Sequence, residues 1–216
     1  MTQLLLDLLP PLPPTRANFL PGDNAEALAA LDAWLVSGRG VFHLWGEAGA
    51  GKTHLLSASR LPFVDATQNP DLNDLPCAAA AIDEMPALSP EGQQRLFNAI
   101  NRGTKLLTAS VASPWHLDLR EDLRTRLGQG AIYRLLPLSD EAKRDALAAD
   151  AARRGMALSA EALDYLLCRA PRDMRRLSAL LAAIDARSLA ELRPVSLPLI
   201  RETLAEFSQP DLLETA

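Results

Sequence analysis

Apolar positions divide the chain into two textures. In DNAEALAALDAWLV, Ala27, Leu28, Leu31, Trp34 and Leu35 recur at spacings of three and four, the period that keeps one face of a helix apolar. Asn24 stands at the expected N-cap, and Gly38 and Gly40 end the pattern. VFHLW, a short apolar run bounded by glycines, predicts a buried strand. Further strands are expected at PFVDA, CAAAAID, TKLLTAS and AIYRLL, with a helix at PEGQQRLFNAIN between the third and fourth. Such alternation predicts a five-stranded parallel sheet wrapped by helices. From Ser139 the strand signals stop. Three or four alanine- and leucine-rich helices follow, broken at Gly155, Pro171 and near Pro194, and predict a second, all-helical unit.

Composition narrows the setting. The 216 residues are 48% hydrophobic, enough for one good core and a satellite. With 22 basic against 27 acidic residues the net charge is −5, which argues against a chain whose main business is coating nucleic-acid phosphates, though a local basic patch is left open. Cys77 and Cys168 sit far apart among apolar neighbours and predict buried thiols in a reducing cytoplasm rather than a disulfide. No uncharged apolar run approaches the ~20 residues of a membrane helix, so no membrane association is expected. The opening MTQLLLDLLPPLPP has neither the basic start nor the long apolar stretch of a secretory signal, and its leucines call for another use.

VFHLW runs directly into GEAGAGKT: Gly46, Glu47, Ala48, Gly49, Ala50, Gly51, Lys52 and Thr53 fit G-x-x-x-x-G-K-[ST] at every position. Small residues let successive backbone N–H groups curl around a phosphate, and a helix beginning near Lys52 turns its positive end toward it. Lys52 adds a mobile charge for the β- and γ-phosphates and Thr53 a hydroxyl for Mg2+; His54 completes the expected nucleotide-binding set. Thirty residues on, CAAAAID ends in Asp83, a candidate for the magnesium shell, followed by Glu84, a candidate to orient water. In REDLRTRLGQG, Arg126 precedes the fifth strand, where it could reach a neighbouring molecule's γ-phosphate. In PRDMRRLSALLAAI, Met174, Leu177, Leu180, Leu181 and Ile184 form one apolar stripe, with Arg175 roughly opposite it and free to serve a nucleotide.

A phosphate loop, a strand ending in Asp-Glu, an arginine before the last strand and a helical lid bearing another arginine resemble the AAA+ ATPases, within them the DnaA-like replication initiators. RTRLGQG is similar to their arginine-finger box, MRRLSALL to the sensor-2 helix at Arg175, and RPVSLPLIRETL to the last lid helix. The resemblance spans about residues 19–207 and implies an α/β AAA+ P-loop fold: a flexible tail over 1–18, a base over 19–137 and a lid over 138–216. Nothing like a helix-turn-helix follows the lid in this sequence, and the stretch between Lys52 and Asp83 is shorter than in the initiators, so little direct DNA binding is expected. Matching KLLTASVASP without gaps puts Val111 where the family carries an aspartate, leaving Ser110 as the sensor-1 candidate.

Gln3, Leu4, Leu6 and Leu8 resemble the short glutamine-plus-leucine motif by which bacterial proteins dock on the DNA polymerase sliding clamp. A carboxamide and leucines on an extended tail suit an apolar groove, and the prolines keep the tail from folding back as a helix. The resemblance therefore implies a regulator that binds ADP or ATP with Mg2+, docks on the clamp and supplies Arg126 to ATP held by DnaA. The rival expectation is a self-sufficient ATPase of the helicase-loader or transposition-helper kind that uses Glu84 for its own turnover. Homo-oligomerisation is left open.

Overall fold

The computed structural model describes residues 13–169 and 174–207; Gln3, Leu4, Leu6 and Leu8 lie outside them. The described chain divides into a base, starting at Pro13 and ending at Leu138, and a helical unit starting at Ser139. Residues 13–18, expected with the tail, therefore group with the base: Arg16 pairs with Asp32 at 3.0 Å.

Strands β1 (Val41–Trp45), β2 (Phe63–Asp65), β3 (Ala79–Asp83), β4 (Lys105–Ser110) and β5 (Ala131–Arg134) form one sheet in the order β2-β3-β4-β1-β5, every pair parallel. Their near-continuous apolar spelling follows from burial on both faces. In β4, Leu106 joins a core with Val41, Ile82, Leu96, Leu123 and Leu127, beneath α3 (Pro90–Asn101) and α4 (Glu121–Gly128). Its neighbour Leu107 joins Phe42, Leu44, Leu31, Leu55 and Leu56, beneath α1 (Ala25–Ser37) and α2 (Lys52–Ala58). One residue of shift exchanges the two cores, which fixes the register. Between β2 and β3 the chain runs through turns without a helix.

The helices show where local signals held and where they gave way. α3 begins as the sequence suggests, with Ser89 Oγ accepting from Gly92 N at 3.1 Å and Pro90 in the first turn. α4 is unannounced by periodicity, because in eight residues it presents only Leu123 and Leu127 to the core and keeps charge elsewhere. Asn24 precedes α1 without capping it. Its carboxamide instead donates to Leu136 O at 2.9 Å and accepts from Leu136 N at 2.7 Å, standing in for a strand partner just beyond β5. The cysteines are a correction: Cys77 and Cys168 are free, as expected, but exposed rather than buried. Cys77 lies in the bend before β3 begins, and Cys168 falls on the outward face of a lid helix.

The second unit holds α5 (Asp140–Arg153), α6 (Ala160–Arg169), α7 (Met174–Ala190) and α8 (Leu197–Phe207). Ser139 Oγ accepts from Ala142 N at 3.1 Å and Ser159 Oγ from Ala162 N at 3.2 Å, capping the first two. The expected stripe on α7 is the core here: Leu177, Leu180, Leu181 and Ile184 pack with Leu147, Leu166 and Ile200, and Met174 lies against them.

Asn24→Ala strips both backbone groups of Leu136 of their partner in a site where Asn24 is only 4% exposed. It should cost roughly 1–3 kcal/mol, read as a lower urea midpoint at unchanged slope, with Asn24→Asp intermediate because it keeps the acceptor.

Candidate functional site

At the end of β1 the chain turns sharply. Gly46 N donates to Ser110 O at 3.2 Å, and a Cβ at position 46 would lie 2.2 Å from Leu135 O, so no other residue fits. Gly51 is left-handed at φ 94°, and a Cβ there would meet the Phe19 ring at 2.6 Å. α2 starts at the next residue. Lys52 is 7% exposed, and its Nζ donates to Gly46 O at 2.7 Å and Glu47 O at 3.0 Å, tying the loop to its own root. Burial pulls the Lys52 ammonium below the ordinary lysine pKa, and the charges of Glu84 and Asp83 oppose that pull. Thr53 is half-buried. His54 Nε2 donates to Thr15 O at 2.8 Å, with its ring edge-on to Phe19 at 5.4 Å, so residues 15–19 lie against the first turn of α2.

Asp83 closes β3, 3% exposed, its Oδ1 accepting from Glu84 N at 2.9 Å. Glu84 is exposed and left-handed at φ 51°, ψ 46°, a conformation that costs a non-glycine residue roughly 1–2 kcal/mol. The strain turns the chain out of the strand directly after the buried carboxylate. The phosphate loop, Asp83, Glu84 and Ser110 thus follow or end β1, β3 and β4 at one edge of the sheet, the carboxyl ends of parallel strands where ligands of such sheets bind.

Val111 and Ser110 part company. Val111 is 55% exposed, whereas Ser110 is fully buried, its Oγ donating to Ala112 O and accepting from His43 Nε2 at 2.9 Å. His43 Nδ1 in turn accepts from Thr108 Oγ1 at 2.8 Å. The sequence reading missed His43, although a lone polar residue in a run buried on both faces needs polar partners, and that need was a usable signal. These bonds suit a neutral imidazole, and burial lowers the His43 pKa from 6.5 to about 4.

Arg126 lies on α4, exposed, with Nη1 donating to Gln129 Oε1 at 3.3 Å and in no ion pair among the described residues. Among the other base arginines, Arg120 pairs with Asp122 at 2.7 Å and Arg134 lies over the Trp45 ring at 5.2 Å, while Arg39, Arg60, Arg102 and Arg124, like Arg126, are in no ion pair among the described residues. β5 begins three residues after α4 ends, and its Ala131 is opposite Phe42 near the start of β1. Arg126 therefore sits toward the start of β1 while the phosphate loop leaves its far end, a separation on the order of 10 Å along the strand. The structure does not bring Arg126 to its own chain's loop. Arg175 is the second residue of α7, and its side chain is outside the described set.

The order of the sheet and the loop after β1 define an AAA+ fold. Domain III of the Thermotoga maritima replication initiation protein DnaA superposes with a TM-score of 0.69 at 21% identity over 91% of this chain and 97% of that one. AMPPCP-bound DnaA from Aquifex aeolicus gives 0.64 at 19% over 83% and 67%, and the Thermotoga maritima RuvB Holliday junction branch migration motor 0.65 at 17% over 90% and 72%. Residues 140–204 match the family model described as Hda, lid domain. The chain thus shares the fold of these AAA+ structures, and its residues 140–204 are similar to the lid domain of Hda. Among the described residues no helix is long and apolar enough to cross a membrane.

The titration of His43 has a readable sign. Above pH 6.5 it is neutral folded or unfolded; as pH falls toward about 4 the unfolded chain takes up a proton that the folded site refuses. Stability should drop across that window by about 3 kcal/mol from this residue, and His43→Gln should flatten that part of a denaturation-versus-pH curve.

Proposed function

We propose that this chain is a regulator of replication initiation of the Hda kind: it binds adenine nucleotide at Gly46–His54 with Arg175, docks on the sliding clamp through Gln3, Leu4, Leu6 and Leu8, and stimulates hydrolysis of ATP held by DnaA. The observation that carries the reading is Arg126, exposed and without an ion pair among the described residues, set toward the opposite end of β1 from its own loop in a chain with an Hda-type lid. A guanidinium so placed serves another molecule's triphosphate better than its own. Its planar fork would neutralise charge growing on the γ-phosphate oxygens, an effect that reaches ~10³ to 10⁵ in rate in GTPase systems.

Nucleotide binding is supported by the loop geometry and by AMPPCP in the Aquifex aeolicus relative. The Thr53 hydroxyl and the Asp83 carboxylate, which accepts only from Glu84 N among the described residues, are hard oxygen donors suited to Mg2+; they would hold the ion, which would offset phosphate charge. Ser110 is the proposed sensor-1 group; it would act through the position of the β4 tip, since its hydroxyl is shared between His43 and Ala112. Glu84 is the proposed water-orienting group for the chain's own turnover.

Arg126→Ala should retain nucleotide and clamp binding yet lower clamp-dependent stimulation of DnaA ATP hydrolysis by about 100-fold or more. Parental stimulation by that variant sinks the reading, and vigorous turnover by the isolated chain, lost in Glu84→Gln, would favour a self-sufficient ATPase instead. In a pull-down on purified sliding clamp, changing Gln3 and Leu6 to alanine should abolish retention, and equal retention removes the tail from the mechanism.

A further inference from the structure

His43 is the one strongly polar residue of β1, and it stands where no water can serve it: His43, Thr108 and Ser110 are each 0% exposed. Thr108 is the register partner of His43 on β4 and Ser110 follows two residues on, so the three side chains share one face of the sheet. Their hydrogen bonds run one way. Thr108 Oγ1 donates to His43 Nδ1 at 2.8 Å, His43 Nε2 donates to Ser110 Oγ at 2.9 Å, and the Ser110 hydroxyl donates to Ala112 O, past the end of the strand. Stability alone does not account for such a chain, because apolar side chains of matching shape in all three places would serve about as well.

What the chain fixes is the tip of β4. Ser110 O accepts from Gly46 N at 3.2 Å, and Gly46 O accepts from Lys52 Nζ at 2.7 Å. Gly46 opens the phosphate loop and Lys52 carries its charge, so an unbroken series of hydrogen-bonded residues leads from His43 through Ser110 and Gly46 to the ammonium. On its other side Gly46 is confined by Leu135 O, 2.2 Å from where a Cβ would fall. The root of the loop thus sits between two strand tips, and the tip of β4 is held by His43. The Ser110 hydroxyl has no hydrogen left for a phosphate, so its effect on a nucleotide must run through its backbone.

We propose that His43 is a positioning residue for nucleotide binding: through Ser110 it holds the tip of β4 against Gly46 and keeps the phosphate loop in the shape that receives phosphates, without touching the nucleotide itself. The proposal rests on the reading of Gly46–His54 as a nucleotide site and adds to it a buried support that the loop's own spelling does not contain.

The test titrates the full-length chain, in the presence of Mg2+, against ADP bearing a fluorescent ribose label, with thermal melts run on the same samples. His43→Leu makes neither bond and should weaken binding about 10-fold, whereas His43→Gln, whose carboxamide can donate to Ser110 and accept from Thr108, should recover most of the loss. Ser110→Ala should also weaken binding, and the double variant should be no worse than His43→Leu alone, because both changes cut one chain. Thr104→Val controls for lost stability: Thr104, 2% exposed, donates to Cys77 O at 2.9 Å at the opposite end of β4, and its loss should lower the melting temperature at parental affinity. Parental affinity in His43→Leu overturns the positioning role, as do strictly additive losses in the double variant, or a weakening that follows melting temperature in every variant with Thr104→Val among them. Should His43→Leu fail to fold, Ser110→Ala set against Thr104→Val decides the same question. A parent that takes up no labelled ADP overturns the nucleotide reading itself, and the parental titration alone reveals it.

Discussion

The pairing of β1 on both sides holds the phosphate edge together. With β4 on one flank and β5 on the other, its backbone groups are spent in the sheet, and its exit at Trp45 is confined between Ser110 and Leu135. Only glycine passes Leu135 at that distance, so the chain must turn there. The buried triad of His43, Thr108 and Ser110 adds side-chain bonds to the ladder and ties the root of the loop to the tip of β4. A buried polar network of this kind specifies one register, because a slip would leave each member unpaired in an apolar layer.

How much of this was legible in the sequence depended on whether a signal was local. The phosphate loop is spelled by backbone demands within eight residues, and α3 and the stripe on α7 by their own periodicity, so these could be read directly. His43 and Asn24 take their meaning from partners 65 and 112 residues away: Thr108 and Leu136. Nothing in VFHLW announces two hydroxyls on the neighbouring strand. The cysteines mislead for a related reason: apolar neighbours in sequence say little about exposure when a strand begins two residues later or a helix turns the thiol outward.

The base has a polarity that matters to function. Parallel strands gather the phosphate loop and the acids Asp83 and Glu84 at their carboxyl ends, while α4, running back to the start of β5, carries Arg126 toward the amino ends. Under the proposed function the first edge would receive nucleotide and the second would offer Arg126 to a nucleotide held by another molecule, so that copies could work in line or one chain could serve a different protein.

The two exposed thiols have a practical consequence. Cys77 belongs to the base and Cys168 to the lid, and the sequence holds no other cysteine. A donor and an acceptor dye coupled at these positions would turn the separation of the two units into an optical signal, so the response of the lid to ADP or ATP could be followed in solution without introducing a single foreign residue.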